Sequence, residues 1–122
     1  MENIVRAKRL KEILDWAKSH GVLLVDKKIY PSFGIKGKSG KNLMSFWERG
    51  KVYCSLNADY FDGGEKERDS LVSELNKLKI FDYKAKGVED GRDSSGLLDE
   101  LDDEEFELFI KVLDKYCCNI ND

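Results

Sequence analysis

Residues 51–56 alternate in polarity with a period of two, and this pattern restricts the possible folds more than any other in the chain. Val52, Cys54 and Leu56 fall on one side of this segment, and Tyr53 and Ser55 fall on the other. Such alternation is typical of a strand with one buried face. Segments 32–36 and 42–47 precede it, and both gaps contain glycine. Short glycine-containing gaps favour hairpin connections, so residues 32–56 predict an antiparallel meander.

Three segments outside the meander have apolar residues at three- and four-residue spacing, which is typical of amphipathic helices. We predict helices over residues 2–20, over residues 65–79 and from residue 102 onward. The apolar face predicted for the first helix consists of Ile4, Ala7, Leu10, Ile13, Leu14 and Ala17.

The third helix has the clearest start signal. Asp102 and Glu105 fit the N-cap and N3 positions of a capping box. Leu101 and Phe106 fit the hydrophobic staple that flanks such a box. A helix is therefore expected to begin directly after Asp102.

The remaining segments give weaker signals. Residues 22–25 are apolar and fit either a first strand or a connection tucked inward, and residues 80–86 fit a further strand. Residues 87–96 are polar and glycine-rich, so we expect a mobile loop there. The chain is thus predicted to be one α+β domain over residues 1–122, with a three- to four-stranded antiparallel β-meander covered on one face by two or three helices.

Composition excludes several classes of protein. The chain has 122 residues, of which 41% are hydrophobic and 37% charged, as in globular proteins. Three cysteines, two of them adjacent, do not form a disulfide framework. No apolar run resembles a signal peptide or a membrane span. We therefore expect a cytoplasmic protein with reduced thiols, and we expect Cys54 and Cys117 to lie on apolar faces.

Charge is distributed unevenly along the chain. Residues 1–60 contain 12 basic and 6 acidic residues, for a net charge of +6, whereas residues 61–122 contain 9 basic and 18 acidic residues, for −9. Such asymmetry indicates either a surface that faces a polyanion or a self-complementary contact. Two solvated faces of opposite sign would give the same counts without any partner.

No catalytic signature, metal site or cofactor site is predicted. The glycines and lysines of residues 37–41 lack the P-loop spacing, and His20 is the only histidine. The acidic run from Asp90 lacks the residue order of a calcium loop. A remote alternative is a Mg²⁺-dependent nuclease built on Asp82 and Lys84, an acid-x-lysine pair on the possible strand 80–86. The earlier acid of such a nuclease would be Asp59 or Asp62.

The strongest functional signal is a cluster of basic residues in the predicted meander. Lysine and arginine neutralise phosphates, and exposed aromatic faces stack on bases. The predicted nucleic-acid-binding residues, which cluster at the meander turns, are Lys36, Lys38, Lys41, Arg49 and Lys51. Further lysines and interleaved aromatics lie nearby at Lys27, Lys28, Tyr30, Phe46, Trp47 and Tyr53. A purely structural interpretation is equally simple: lysines keep loops soluble, and alternating aromatics often belong to the core.

The layout resembles small bacterial domains of unknown function. The residues that carry the resemblance are Leu10 and Trp16, the Gly50–Tyr53 turn and strand, Arg68, Leu71, Leu75 and Asn76, and then Leu97, Leu98, Leu101, Asp103, Phe106 and Phe109. Such domains resemble appendages of DNA-handling or defence proteins. The resemblance implies no catalytic residues.

From these observations we expect a non-catalytic binding module that contacts nucleic acid through the basic meander surface. The alternative is a protein-interaction module whose partner is an acidic protein surface or a second copy of the chain. In the homodimer, the basic amino-terminal half would meet the acidic carboxyl-terminal half of the second copy.

Overall fold

The computed structural model describes residues 4–25, 33–47, 49–83 and 92–117. The helices are α1 (Ile4–Ser19), α2 (Gly64–Leu75) and α3 (Asp103–Cys117). The strands are β1 (Leu23–Val25), β2 (Phe33–Lys36), β3 (Asn42–Phe46), β4 (Lys51–Ser55) and β5 (Arg92–Leu97). Two 3-10 turns lie at Ala58–Tyr60 and Leu98–Glu100.

The five strands form one antiparallel meander in the order β1-β2-β3-β4-β5. The predicted α+β class is confirmed, and the sheet has one strand more than the upper limit of the prediction. The additional strand is β5, whose residues 92–96 fall in the segment predicted as a loop, so that prediction is wrong there. Residues 87–91 lie outside the described residues.

β5 has no apolar alternation and forms a strand because β4 pairs with it. At a register shift between Lys51 and Tyr53 of β4, the amide N–H of Val52 donates to the hydroxyl of Ser95 at 2.9 Å. The carbonyl of Val52 accepts from the Tyr83 hydroxyl at 2.9 Å. The side chains of Ser95 and Tyr83 thus provide hydrogen-bond partners for the N–H and C=O of Val52, which the irregular ladder leaves unpaired. Buried backbone groups require such partners.

The core lies between the inner face of the sheet and the three helices. Phe46 of β3 is fully buried and packs edge-on against Phe109 of α3, with ring centroids 6.1 Å apart. Phe109 in turn stacks on Phe81 at 5.5 Å. Cys54 and Cys117 are both buried, on apolar faces as predicted.

The start of α3 follows the predicted capping box. The amide N–H of Glu105 donates to Asp102 Oδ1 at 2.7 Å, and the amide N–H of Asp102 donates to Glu105 Oε1 at 3.2 Å. Leu101 and Phe106, the predicted staple pair, are both buried. This reciprocal pairing satisfies two donors that a helix start leaves without an intrahelical partner.

The face of α1 differs from the prediction. Ile13 and Ala17 are fully buried, but Ile4 is 78% exposed, and Arg9 is buried with 6% exposure. Arg9 Nη1 donates to the carbonyls of Leu98 and Leu101 at 2.7 and 2.5 Å. The buried positions follow an i, i+4 row from Arg9, and the first turn of α1 projects past the core.

α2 ends at Leu75, four residues before the predicted end. The following Asn76 holds Tyr83 by two hydrogen bonds of 2.8 Å, one from its amide nitrogen to the Tyr83 carbonyl and one from the Tyr83 N–H to its amide oxygen. Residues 80–83 therefore turn back without forming the predicted strand, which is a correction. Residues 84–86 lie outside the described residues.

Candidate nucleic-acid interface

Strand register divides the meander into an inner and an outer row. Ile35 is level with Met44, and Met44 with Cys54, and all three are almost fully buried. Gly34, Ser45 and Tyr53 form the neighbouring row. Because successive side chains of a strand point to opposite faces, this second row belongs to the face away from the helices, the outer face.

The outer face carries an aromatic pair. The rings of Trp47 and Tyr53 meet edge-to-face, with centroids 5.6 Å apart and an interplanar angle of 62°. Both side chains are half-buried. Phe46, which the sequence grouped with them, points into the core instead, and Tyr30 lies outside the described residues. Among the described residues of the outer face, the accessible aromatic surface is thus the Trp47–Tyr53 pair.

The turn between β2 and β3 brings three of the predicted residues together. Lys38 and Lys41 are exposed and Lys36 is half-buried. Lys36 and Lys38 line a shallow depression of about 190 Å³ beside His20. The Lys41 ammonium lies over the ring of Tyr60, 5.4 Å from its centroid, a cation–π contact.

The turn between β3 and β4 holds the other two predicted residues. Arg49 is exposed, and Lys51 is half-buried and pairs in the sheet with Leu97. β3 separates this turn from the first one, and its five residues span about 17 Å. The predicted residues therefore form two groups at opposite ends of the sheet. Lys27 and Lys28 lie outside the described residues.

Small and polar residues lie between the two groups. Asn42 donates through its side-chain nitrogen to the Ser45 hydroxyl at 3.1 Å. Its side-chain oxygen is buried against Gly34, and a Cβ on that glycine would lie 2.7 Å from it. Sequence reasoning did not single out Asn42, Ser45 or Gly34. The signal that could have found Ser45 and Gly34 was period-two alternation. In β4 this alternation already assigned Tyr53 and Val52 to opposite faces of the sheet.

The acids proposed for a nuclease are not brought to one strand. Asp82 is exposed and lies outside any strand, and Lys84 is outside the described residues. Asp59 belongs to the 3-10 turn Ala58–Tyr60, and Asp62 is exposed beyond it. Among the residues that the structure describes, no three histidine, cysteine or acidic side chains are grouped so that they could hold a metal ion.

Comparison with known proteins identifies no relative. No family model, no curated protein and no solved structure matches the chain. Within the described ranges, no helix is long and apolar enough to cross a membrane.

Proposed function

We propose that this chain is a non-catalytic module that binds single-stranded nucleic acid along the outer face of its sheet. The observation that carries the proposal is the half-buried Trp47–Tyr53 pair on the outer face, which lies near the β3–β4 turn with its two cations, while the other three predicted cations lie beyond it at the far end of β3. The resemblance to domains attached to DNA-handling or defence proteins agrees with this function.

Binding would combine two kinds of contact, between cations and phosphates and between aromatic rings and bases. Lys36, Lys38 and Lys41 at one turn neutralise phosphates at one end of the path, and Arg49 and Lys51 neutralise phosphates at the other end. The binding free energy of such contacts comes largely from released counterions. Bases between these ends stack on accessible aromatic surface, and each stacked base contributes about 1–3 kcal/mol.

The geometry favours a single strand over a duplex. Stacking on Trp47 or Tyr53 requires a base whose face is accessible, and the bases of a duplex are stacked on one another. A single strand can also bend to reach both cation groups across about 17 Å of sheet. A sheet face with accessible aromatic rings and nearby basic residues is one way in which proteins bind unpaired bases.

The expected affinity is modest because the chain as a whole is acidic, with a net charge of −3. With at most five phosphates neutralised, the logarithm of the association constant should fall with the logarithm of salt concentration with a slope of no more than about −3.5. Weak binding with a measurable slope is therefore the expected result.

The experiment is fluorescence anisotropy with labelled single-stranded DNA, single-stranded RNA and duplex DNA, at low and at physiological salt. The test variants are Lys36/Lys38/Lys41→Ala, Arg49/Lys51→Ala and Tyr53→Ala. A matched control, Lys8/Lys11/Lys66→Ala, removes three positive charges at exposed positions on α1 and α2.

We expect single strands to bind more tightly than the duplex. The first variant should lower the salt slope by about 2, and Tyr53→Ala should weaken binding without changing the slope. The control should keep the slope of the unmodified chain. Absence of binding at low salt, or an equal loss in the control variant, would refute the proposal. In that case an acidic protein surface becomes the partner to test.

A further inference from the structure

α3 carries an exposed stripe on the side away from the core. Glu104, Glu107, Leu108, Lys111 and Lys115 are all exposed, and Leu108 is 45% exposed. Residues 104, 108, 111 and 115 follow one another at three- and four-residue steps, so they form one continuous row along the helix. A single exposed leucine is common on protein surfaces. The unusual feature here is the order of the charged residues on either side of Leu108.

Charge changes sign at Leu108. The stripe is acidic before it, at Glu104 and Glu107, and basic after it, at Lys111 and Lys115. Two copies of such a helix repel when they lie parallel, because like charges are level with each other. When they lie antiparallel, the acidic half of each faces the basic half of the other. With a two-fold axis at Leu108, Glu104 of one copy is offset from Lys111 of the other by about 1.5 Å along the axis.

An apolar groove borders this stripe. It lies between α2 and α3, has a volume of about 310 Å³ and is lined by Leu78, Val112 and Leu108, with Glu74 and lysines at its rim. Leu78 and Val112 are almost buried, so the groove offers apolar atoms that a leucine side chain from a neighbour can contact.

The partners of the charged residues also differ along the stripe. Lys115 donates to Glu74 Oε2 at 3.0 Å, so its charge is used within the chain. Among the described residues, Glu104, Glu107 and Lys111 form no ion pair within 4 Å. These three residues therefore keep charges that are available to a second copy.

We propose that two copies of this chain associate through α3, antiparallel and about a two-fold axis near Leu108. In this arrangement Lys111 pairs with Glu104 of the second copy, and Leu108 lies against the groove between α2 and α3 of that copy. An isologous contact of this kind uses one patch twice, so each favourable pair occurs twice.

The expected dimer is weak. α3 has 15 residues and is about 22 Å long. A helix face about 10 Å wide then covers an area well below the ~800 Å² per partner of a stable complex. We therefore expect self-association at high micromolar concentration, with an affinity that falls as salt increases.

The experiment is sedimentation velocity over a concentration series that reaches about millimolar, at low salt and without nucleic acid. The variants are Glu104→Lys, Lys111→Glu, an equimolar mixture of these two, and the double variant Glu104→Lys/Lys111→Glu. Lys66→Glu is the matched control, because Lys66 is an exposed lysine on α2 away from the groove. Far-ultraviolet circular dichroism verifies that each variant keeps its helices.

Each single variant should raise the dimer dissociation constant at least about tenfold, because the substitution removes two pairs and creates two repulsions. The equimolar mixture should associate again, since one chain then carries only acids and the other only lysines at these positions. The double variant should also associate, because exchanging the charges preserves their complementarity. The control should behave as the unmodified chain.

Three outcomes would overturn the proposal: a monomer at every concentration, single variants that associate as well as the unmodified chain, or a mixture that stays monomeric. Each of these outcomes leaves nucleic-acid binding by the sheet unaffected, since the stripe on α3 shares no residue with the outer face.

Discussion

The β2–β3 and β3–β4 turns resemble each other in backbone conformation and differ in what surrounds them. Gly40 in the β2–β3 turn and Gly50 in the β3–β4 turn have φ angles of +87° and +91°. Nothing lies within 4 Å of a Cβ built on Gly40, whereas a Cβ on Gly50 would lie 2.9 Å from Arg6 Nε. One turn is open and its lysines face solvent. The other is enclosed by an arginine and an aspartate.

The enclosed turn is tied to the amino-terminal helix. Arg6 Nε donates to Asp99 Oδ1 at 2.8 Å, directly over Gly50. The carbonyl of Gly50 accepts from the amide of Leu98 at 2.8 Å. By contrast, the open turn is held by its own backbone bonds and by the Ser39 hydroxyl, which donates to the Tyr60 carbonyl at 2.9 Å and accepts from the Lys41 amide at 3.3 Å. The comparison shows that Arg6 serves the fold at the enclosed turn. At the open turn, by contrast, Lys38 and Lys41 are exposed.

The largest expected effect comes from Arg9, which binds the carbonyl of Leu98, the residue whose amide donates to the Gly50 carbonyl in the enclosed turn. Arg9→Met removes the donors to the carbonyls of Leu98 and Leu101, and we expect a loss of about 3 kcal/mol in the free energy of unfolding. Urea denaturation followed by circular dichroism measures this loss. Lys8→Met, one residue earlier and exposed, is the control and should change stability by less than about 0.5 kcal/mol.

If Arg9→Met proved as mild as its control, the enclosed end would not depend on its arginines, and the contrast between the two turns would fail. Arg9→Lys adds a second measurement. It keeps the charge but lacks the planar fork that reaches two carbonyls at once, so its stability should lie between those of Arg9→Met and the unmodified chain.

The two glycines provide a matched pair with a smaller effect. Gly40→Ala should cost about 1 kcal/mol, since only the left-handed backbone conformation disfavours the new side chain. Gly50→Ala carries the same backbone cost and must also displace Arg6 from Asp99, so we expect about 2–3 kcal/mol.

Thermal or urea denaturation of the two glycine variants side by side measures the difference between the turns directly. Equal losses at the two positions would show that Arg6 yields without cost, and the enclosed turn would then be no more constrained than the open one.

The smallest effect lies away from both turns, at the contact between α2 and α3. The hydrogen bond from the Tyr116 hydroxyl, at 2.5 Å, is the main cause that holds the pKa of Glu74 below its usual range, and Lys115 adds to it. Since the pKa is lowered in the folded state, this contribution is present above the usual glutamate pKa and is lost as pH falls through the lowered value.

Glu74→Gln should therefore reduce stability at neutral pH by less than about 1 kcal/mol, and the difference from the unmodified chain should shrink as the pH is lowered. Urea denaturation between pH 7 and pH 3 measures it. A difference that stays constant with pH would show that the charge of Glu74 contributes nothing. Neither glycine variant should alter this pH dependence.

Local patterns predicted the central part of the fold well. β3 and β4 were recognisable because alternation and glycine turns are local signals, and the start of α3 was recognisable because a capping box lies within four residues. β5 was missed because its pairing depends on the Val52 backbone, far away in sequence. The burial of Arg9 was missed for a related reason, since its acceptors are carbonyls about 90 residues further along the chain.

The candidate interface was predictable only in part. The five basic residues were identified from composition around the turns, but sequence alone did not separate them into two groups. That separation depends on strand direction, which places consecutive turns of a meander at opposite ends of the sheet. The outward position of Tyr53 followed from its alternation with Val52, whereas the contact between Trp47 and Tyr53 depends on the pairing of β3 with β4.

The two outer strands have a consequence for solubility. A strand at the edge of a sheet exposes unpaired N–H and C=O groups, on which strands of other molecules can assemble into aggregates. β1 is apolar but only three residues long, and β5, which begins Arg-Asp-Ser-Ser-Gly, has few side chains that favour such stacking. The same polarity that leaves β5 without a strand signal in the sequence therefore gives this edge few of the apolar side chains on which fibrils are built.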